Sequence, residues 1–449
     1  MNYVGTARPI HDAKGKATGY SKYAGDISLS NMAYLCMLHS KIPHGYVKAV
    51  HAEKALALPG VYGVYHCLNT SERKYNRYRS SFDQAYLANE ERAFNQYVRF
   101  VGDKIGAVAA CDQETAEKAA RLVEVEYEEL SFSIGFDDTL AGKNCLDGET
   151  PVRDEYELDV GEKQGSAEGL IEVCSTMELP RLHHATMETH ACIADYDPYS
   201  DMLTVYCPNQ AVHGIRTVLA DFLEMPESHV RVVKATMGGS FGAKQEWFLE
   251  PVTALVAKKL CRPVKLVYSR GEAMTDTIVR GAMRMSARGY YTPDGEMKEI
   301  YCDVTLDAGA YIGNAGDYVR ALAGKPTRCY RIPYMHYHGQ VISSNSPVSG
   351  AFRSWSAAEE ALMMERQLDA AAEKLGMDRL AIRLKNVARS GEEDKKLHLS
   401  LEDIRIGDAI TLGSEKFGWD KLKAEDAAFN ASQQRYRRGV GIGIGGHGN

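Results

Sequence analysis

The sequence contains no long hydrophobic run, no basic run and no signal-peptide core. Its apolar stretches fall short of the ~18 residues that a membrane-spanning helix needs. Lys and Arg number 53 against 60 Asp and Glu, giving a net charge of −7, and no basic cluster suggests a nucleic-acid face. The N-terminal residues are polar rather than apolar. These absences predict a cytoplasmic protein with neither a membrane anchor nor a nucleic-acid partner.

Local metal and nucleophile motifs are also missing. The sequence has 10 cysteines, but no two are spaced as Cys-x-x-Cys, so no local iron–sulfur or zinc site is predicted. We expect the cysteines to be reduced, mostly buried thiols. The segment 181–190 carries three histidines, at spacings that do not align them on one helix face. No nucleophile elbow, HExxH or kinase motif occurs.

The chain is long enough for two or three domains, with 449 residues of which 45% are hydrophobic. A buried strand at 104–110, a helix capped by Asp112 and an alternating strand at 123–130 predict a βαβ-like unit. This unit lies in an α+β domain at residues 1–135. Residues 136–164 are weakly patterned and predict a linker, and residues 165–449 predict a second α/β domain.

The second domain shows clear helix and strand signals. Pro251 is typical of the first turn of a helix, Gly376 of a helix C-terminus and Asp378 of a helix N-cap. The residues TPDGE at 292–296 predict a turn between two long strands. Further elements are predicted as strands at 202–210, 229–236 and 263–269, and as helices at 211–223, 250–260, 356–376 and 379–387.

Three segments of this domain could bind a ligand. The loop TMGGSFGAKQ at 236–245 has glycines that permit unusual backbone conformations, so it is either a structural turn or a cofactor cradle. Its spacing fits neither a P-loop nor a dinucleotide fingerprint. Gln210 follows a strand end, where it could bind a ligand or only support a loop. Arg353, close to Trp355, could hold an anion or pair with a nearby carboxylate.

Taken together, these segments resemble one family. The ordered motifs are ATGYSKYAGDI, CPNQ, VVKATMGGSFGAKQ, PVKLVYSRGEAM, DAGAY, SPVSGAFR and EKLGMDRLAIRLKN. They resemble the molybdenum-cofactor subunit of the xanthine dehydrogenase family of molybdenum hydroxylases over nearly all of the chain. The resemblance implies an α+β fold, with an N-terminal a/b hammerhead domain followed by the first half of the molybdopterin-binding region.

The family's chemistry follows as an implication. Its members hydroxylate an electron-poor carbon with water, using molybdenum held by the dithiolene of a pterin rather than by a protein ligand. The pterin is molybdopterin, in some members its cytosine dinucleotide, and the metal carries a terminal sulfido or selenido group. A glutamate acts as base. The resemblance implies [2Fe–2S] and FAD groups on partner subunits.

The resemblance also assigns residues to the cofactor. Gln210 matches the glutamine that hydrogen-bonds the apical oxo ligand. Arg353 matches the arginine whose loop closes over the metal, and both are candidate catalytic residues. The loop packed against molybdenum and the dithiolene edge corresponds to Gly239, Ser240, Phe241 and Gly242.

Three further residues correspond to substrate contacts. Gln245 lies where animal xanthine oxidoreductases have a substrate-binding glutamate. Arg320 aligns with an arginine that polarises purine substrates, with Arg328 as a nearby competitor. Trp355 lies where other members place an aromatic against the substrate ring.

The sequence departs from the family pattern in three respects. The family's AFRGFG is AFRSWS here, so Ser354 and Ser356 replace glycines and should make the loop less permissive. Ser354 also replaces the cysteine that follows the arginine in aerobic carbon monoxide dehydrogenases, which argues against that activity. Finally, the second half of the cofactor region is missing, as in nicotinate dehydrogenase, whose molybdenum subunit is split into two polypeptides. The base is therefore expected on a partner chain, and this chain alone is expected to be inactive and poorly soluble.

The leading hypothesis is hydroxylation of an N-heterocycle, specifically a purine such as xanthine or hypoxanthine. It depends on Gln245 and Arg320, which could hydrogen-bond ring nitrogens and carbonyls. The alternatives are a nicotinate hydroxylase, in which Arg320 or Arg328 pairs with the substrate carboxylate, an aldehyde oxidoreductase, and a non-catalytic scaffold subunit.

Overall fold

The computed structural model describes residues 4–78, 89–143, 146, 150–163, 165, 168–432 and 435–447. Its strands are β1 (Ala33–His39), β2 (Gly45–His51), β3 (Val61–His66), β4 (Lys74–Tyr75), β5 (Glu91–Arg92), β6 (Tyr97–Val98), β7 (Lys104–Ala110), β8 (Glu124–Glu129), β9 (Val152–Gly161), β10 (Ile171–Leu179), β11 (Ala191–Asp197), β12 (Met202–Cys207), β13 (Val230–Lys234), β14 (Val264–Val267), β15 (Ala282–Tyr291), β16 (Met297–Gly309), β17 (Tyr334–Ser343), β18 (Glu393–Asp394) and β19 (Leu399–Ser400). Its helices are α1 (Ala13–Ala17), α2 (Glu53–Leu56), α3 (Gln113–Ala120), α4 (Phe136–Leu140), α5 (Val212–Phe222), α6 (Glu250–Leu260), α7 (Arg270–Asp276), α8 (Ala315–Ala323), α9 (Pro326–Cys329), α10 (Ala357–Leu375), α11 (Arg379–Asn386), α12 (Ile406–Phe417) and α13 (Trp419–Ser432).

A seven-stranded mixed sheet joins the N-terminal region to the cofactor region. Its order is β13-β12-β11-β14-β1-β7-β3, so four strands of the cofactor region and three strands of the N-terminal region form two adjacent blocks of one layer. The junction is the parallel pair of β1 and β14, in which Ala33 is opposite Val264. The first hydrophobic core accordingly mixes residues of both regions, including Leu35, Ile105 and Leu266. The expected boundary near residue 135 therefore does not separate two independent sheets.

A five-stranded sheet forms the second layer, in the order β10-β15-β16-β17-β9. Its edge strand β9 lies inside the segment 136–164 that we expected to be a linker, and α4 lies there as well. The sequence does not predict this strand, because RDEYELD alternates acidic residues with half-buried ones and so resembles an exposed linker. The same alternation suits an edge strand with one solvated face. Helix α10 packs over β10 and β15, and its Met363 and Met364 are fully buried in the second core.

Most predicted elements are confirmed. The Asp112 carboxylate accepts from the Thr115 N–H at 2.7 Å as the cap of α3, and Asp378 accepts from Leu380 N at 2.8 Å as the cap of α11. Gly376, with φ +65°, ends α10. The prediction of a βαβ-like unit is wrong, however. Strand β7 belongs to the seven-stranded sheet, whereas β8 pairs antiparallel with β2 in a separate three-stranded sheet.

The nine cysteines that the structure describes are free thiols, but not all are buried. Cys111, Cys174 and Cys261 are exposed, and Cys145 lies outside the described residues. Burial raises the pKa of Cys67 to about 12, which keeps that thiol protonated and inert. Over the described ranges, no helix has both the length and the hydropathy to cross a membrane.

The two cores position the loops singled out in the sequence. The glycine loop, residues 236–245, follows β13 and leads into the buried Trp247 and Phe248 of the first core. Residues 350–356 precede α10, and Trp355 packs against the second core. Each loop is therefore anchored at one end in a packed interior.

Candidate cofactor site

Gln210 forms hydrogen bonds with residues of the glycine loop. The residue is exposed just after β12, and its backbone N–H donates to the Lys244 carbonyl at 2.8 Å. The Ser240 hydroxyl donates to Oε1 of Gln210 and accepts from the Lys244 N–H at 3.1 Å. The side-chain oxygen of Gln210 is thus occupied by Ser240, which leaves its amide N–H₂ as the group available to an acceptor.

The glycine loop and the Arg353 loop touch through their backbones. Gly242 has φ +101°, and a Cβ placed on it would lie 2.3 Å from the Ala351 carbonyl oxygen, so only glycine fits. The Arg353 N–H donates to the Phe241 carbonyl at 2.8 Å, and its guanidinium lies 5.7 Å from the Phe241 ring centroid. Phe241 itself has φ +54° and is 50% exposed. The two loops therefore present an aromatic ring and an arginine side by side at the surface.

A buried ion pair supports the glycine loop from below. Lys244, only 1% exposed, donates through Nζ to the Glu188 carboxylate at 2.6 Å. The same Glu188 oxygen accepts from the Gly238 N–H at 2.7 Å. Burial lowers the pKa of Lys244, and Glu188 opposes that shift. Because one carboxylate binds both ends of the loop, the pair fixes its curvature.

Two histidines hold the same loops through carbonyl groups. His190 Nε2 lies 3.0 Å from the Ala243 oxygen, and His184 Nε2 lies 2.8 Å from the Ala351 oxygen, so each is assigned as the Nε2–H tautomer. Burial lowers the pKa of His190 to about 3 and that of His184 to about 4. Both rings are therefore neutral donors at physiological pH.

We expect these histidines to make the protein sensitive to acid. In the unfolded chain His190 binds a proton as pH falls below 6.5, whereas in the folded protein it stays neutral down to about pH 3. The free energy of unfolding therefore decreases as pH falls through this window. Between pH 6.5 and 5 the loss is up to about 2 kcal/mol per histidine. Melting temperatures at pH 7 and pH 5 should therefore differ more in the wild type than in His190→Gln. The exposed His213→Gln variant should behave like the wild type, and equal acid shifts in all three would contradict the assignment.

Glu246 lies beneath the Arg353 loop as a buried acid. Both of its carboxyl oxygens are buried without a hydrogen-bond partner in the described part of the chain. A Cβ on Gly350 would lie 2.7 Å from its Oε1, so the loop crosses directly over the carboxyl group. Burial raises the pKa of Glu246 to about 8, against the opposing charge of Arg77. The group next to Gln245 is therefore a neutral carboxylic acid at pH 7.

The serine substitutions in the Arg353 loop fall on left-handed backbone. Ser354, Trp355 and Ser356 have φ values of +68°, +38° and +71°. The loop thus keeps a conformation that glycine would adopt at little cost, and does so with residues that carry a Cβ. This geometry agrees with the expectation that the serines restrict the backbone of the loop, because three consecutive residues with a Cβ have positive φ.

The proposed substrate residues are not all brought together. Gln245 is half-buried at the loop exit, with its N–H donating to the Gly242 carbonyl at 3.2 Å. Trp355 is turned inward, edge-on to Tyr318 at 6.0 Å. Arg320 forms a two-pronged ion pair with Asp154, and Arg328 lies 3.4 Å from Asp394. The sequence hypothesis that an arginine could pair with a nearby carboxylate thus describes Arg320, although it was raised for Arg353.

Sequence reasoning missed the supporting residues. The histidine spacing at 181–190 predicts no local metal site, and the sequence alone assigns no supporting role to this segment. Its members Glu188, His184 and His190 instead brace the two loops. The sequence offers one signal for this role. It is a run of His and Glu residues whose spacing fits no metal site, in a chain that also contains a glycine loop.

The site suits a group that brings its own metal. The exposed face offers amide N–H groups, an aromatic ring and an arginine, and the described chain provides no metal-ligand cluster. Such donors fit a cofactor edge of oxygen and sulfur acceptors, to which the metal is already bound.

Comparison with family models gives two matches. Residues 18–131 match the a/b hammerhead domain of aldehyde oxidase and xanthine dehydrogenase, and residues 151–387 match the molybdopterin cofactor-binding domain. The second match contains Gln210, the glycine loop and Arg353. The chain belongs to the xanthine dehydrogenase family of molybdenum hydroxylases, as a molybdopterin-binding subunit. The predicted family and fold class are thereby confirmed.

Curated relatives differ in how much of their length this molybdopterin-binding subunit matches. The xanthine dehydrogenase molybdenum-binding subunit of Escherichia coli O157:H7 is 30% identical over 455 residues, which cover 96% of this chain and 58% of that protein. The nicotinate dehydrogenase large molybdopterin subunit of Eubacterium barkeri is 29% identical over 384 residues, which cover 85% of this chain and 88% of that protein. The chain thus spans little more than half of the first relative and most of the second.

A solved structure shows the same fold. Quinoline 2-oxidoreductase from Pseudomonas putida 86 superposes with a TM-score of 0.87 at 23% identity, covering 95% of this chain and 56% of that one. The molybdopterin-binding subunit therefore shares the backbone architecture of molybdenum hydroxylases across both of its large sheets.

Proposed function

We propose that this chain is the molybdenum-cofactor subunit of a multi-subunit cytoplasmic hydroxylase that oxidises an N-heterocycle with water as the oxygen source. The observation that carries the proposal is that the glycine loop hydrogen-bonds Gln210 through Ser240 and Lys244 on one side and Arg353 through Phe241 on the other, with Gln210, Phe241 and Arg353 all exposed. When bound, the cofactor supplies a water-derived nucleophile and accepts the two electrons of the oxidation. Gln210 orients the cofactor through its amide N–H₂, and the Arg353 loop excludes water over it.

We infer that the substrate is a purine of the xanthine or hypoxanthine type. Gln245 offers a neutral amide that can both donate to and accept from a ring edge. The neighbouring Glu246 is buried and uncharged at pH 7, so it places no negative charge behind Gln245 that would oppose a purine carbonyl. The bidentate pair with Asp154 argues against the substrate role expected for Arg320.

A nicotinate-type hydroxylase is the second candidate. The favouring observation is the similarity to the nicotinate dehydrogenase large molybdopterin subunit, which is 29% identical over 384 residues. In this reading Arg353, which is exposed beside Phe241, would receive the substrate carboxylate. An aldehyde substrate would need neither contact.

Turnover of the assembled enzyme on xanthine, hypoxanthine, nicotinate and an aldehyde separates these candidates. For a purine, Gln245→Ala should lower kcat/KM by ~10-fold or more because the amide binds the transition state. Gln113→Ala, on the surface helix α3, is the matched control and should leave kcat/KM unchanged. Unaltered purine kinetics in Gln245→Ala would reject the purine assignment.

We further propose that partner chains complete the enzyme. One supplies the remaining half of the cofactor region with the glutamate base, and others carry [2Fe–2S] and FAD. Exposed apolar side chains support a large partner, among them Phe417 at 55% and Leu412 at 53%, beside a groove of about 540 Å³ lined by Ile406 and Ile410. Molybdenum and pterin analysis of the intact complex checks the proposal, and a complex without molybdenum would mean a scaffold subunit.

A further inference from the structure

Lys325 lies beneath the Arg353 loop, on a different element from the cofactor face. It occupies the position just before the first residue of α9, at the corner that follows α8. The residue is only 8% exposed. Its ammonium donates to the Trp355 carbonyl at 2.5 Å and to the Ser356 hydroxyl at 2.8 Å. One buried cation therefore holds two consecutive residues of the loop.

Those residues belong to the segment that most needs a restraint. Ser354, Trp355 and Ser356 all occupy the left-handed region, which is unfavourable for residues with a Cβ. The other hydrogen bonds of these residues are between neutral groups: the Trp355 N–H to the Phe352 carbonyl at 2.8 Å, the Ala357 N–H to the Ser354 carbonyl at 3.2 Å, the Glu360 N–H to the Ser356 carbonyl at 3.1 Å and the Ser354 hydroxyl to the Arg353 carbonyl at 2.7 Å. A hydrogen bond from a charged donor is about twice as strong as a neutral one. The ammonium is thus the strongest contact opposing relaxation of the loop.

The loop transmits its conformation to the cofactor face. Arg353 immediately precedes the strained residues, and its N–H is bonded to the Phe241 carbonyl. If Ser354 relaxed to a right-handed conformation, the direction of the chain at Arg353 would change, and the guanidinium would leave the Phe241 ring. The position of Arg353 therefore depends on the backbone of the next three residues.

We propose that Lys325 is a positioning residue for Arg353. It compensates for the absence of glycine at positions 354 and 356 by tying the strained backbone to α9. We call the contacts of the Lys325 ammonium with Trp355 and Ser356 the tie. The role of Arg353 in turnover rests on the proposed function, whereas the tie itself does not. In a loop with glycine at position 354, the same tie should matter much less.

The charges around Lys325 define how the tie responds to pH. Glu359 and Glu360 face it from α10, and Arg328 faces it from α9. Glu359 is also 3.4 Å from Arg280, which precedes β15. Burial lowers the pKa of Lys325 to about 8, against the two carboxyl groups, while burial raises the pKa of Glu360 to about 8. The charged form of the tie is therefore lost as pH rises through 8.

Limited proteolysis of the assembled enzyme tests the tie without measuring activity. Trypsin cleaves after arginine, so cleavage of the Arg353–Ser354 bond reports on release of the loop. Peptides that end at Arg353 are quantified by mass spectrometry against those that end at the exposed Arg121. We expect Lys325→Met to accelerate this cleavage by ~10-fold or more, because opening becomes more frequent. Lys325→Arg keeps the charge and should stay close to the wild type.

A suppressor variant separates positioning from general destabilisation. Adding Ser354→Gly to Lys325→Met should return the cleavage rate to within about threefold of the wild type, since glycine removes strain that the tie opposed. If Lys325→Met fails to assemble, Ser356→Ala removes one acceptor and should give a smaller acceleration. Unchanged cleavage in both variants, or no rescue by Ser354→Gly, would overturn the proposal.

Kinetics then tests the consequence for catalysis. Lys325→Met should lower kcat by ~10-fold with KM changed less than about twofold, because the loop acts on the cofactor rather than on substrate binding. In Lys325→Arg the alkaline fall of kcat should move to higher pH. Faster cleavage with unaltered kcat would confirm the tie and overturn its role in turnover.

Discussion

Gly242→Ala is expected to prevent the assembled enzyme from retaining molybdenum. The new methyl group would lie 2.3 Å from the Ala351 carbonyl oxygen, and φ at this residue is +101°. Strain and overlap together should cost about 3–5 kcal/mol. Because Ala351 lies next to the Arg353 loop, relief of the overlap moves Phe241 and Arg353 apart. Molybdenum content per complex, measured by mass spectrometry, should fall to near zero.

Gly135→Ala is the matched control for that variant. Gly135 also has a positive φ of +82°, but a Cβ there meets nothing within 4 Å. It should cost about 1–3 kcal/mol from backbone strain alone and leave molybdenum content normal. Equal molybdenum contents in the Gly242 and Gly135 variants would show that the approach of the two loops is not needed for the cofactor.

Lys244→Met is expected to destabilise the protein by about 3–5 kcal/mol, the usual cost of breaking a buried ion pair from one side. The variant leaves Glu188, 14% exposed, with its charge uncompensated below the glycine loop. The loop loses the link between Gly238 and Lys244, so molybdenum content should fall as well. Thermal unfolding of the complex and metal analysis measure the two effects.

The double variant Lys244→Met/Glu188→Gln identifies the cause. Removing both charges eliminates the uncompensated carboxylate, so the double variant should be more stable than Lys244→Met alone. Additive losses would mean that the two residues act independently, contrary to the 2.6 Å contact. Lys48→Met breaks an exposed pair with Glu128 and is the control, with an expected effect below about 1 kcal/mol.

Local signals in the sequence predicted individual elements well. Asp112, Pro251, Gly376 and Asp378 each act through the few residues beside them, and the structure places each at the expected helix end. The pairing of strands is a different matter. Nothing near Ala33 indicates that its partner is Val264, and the acidic alternation of β9 is equally compatible with an exposed linker.

The candidate site shows the same contrast between residues that local motifs predict and residues that only the fold brings together. Gln210, Phe241 and Arg353 lie in recognisable motifs, and the structure links all three through hydrogen bonds of the glycine loop. The supports Glu188 and Lys325 come from segments remote in sequence, and their roles depend on burial and on distances that no spacing encodes. Arg320 shows the converse, because its sequence context suggested a substrate contact while the fold supplied Asp154 as its partner.

The shared seven-stranded sheet has a consequence for biosynthesis. Strand β1 is central, with β7 on one edge and β14 on the other. The ribosome delivers β7 soon after β1, but Val264 emerges only ~10–50 s after Ala33 at ordinary elongation rates. Throughout that interval one edge of β1 presents unpaired backbone groups to other nascent chains. The N-terminal region should therefore depend on chaperones until β14 arrives, and should aggregate when expressed without it.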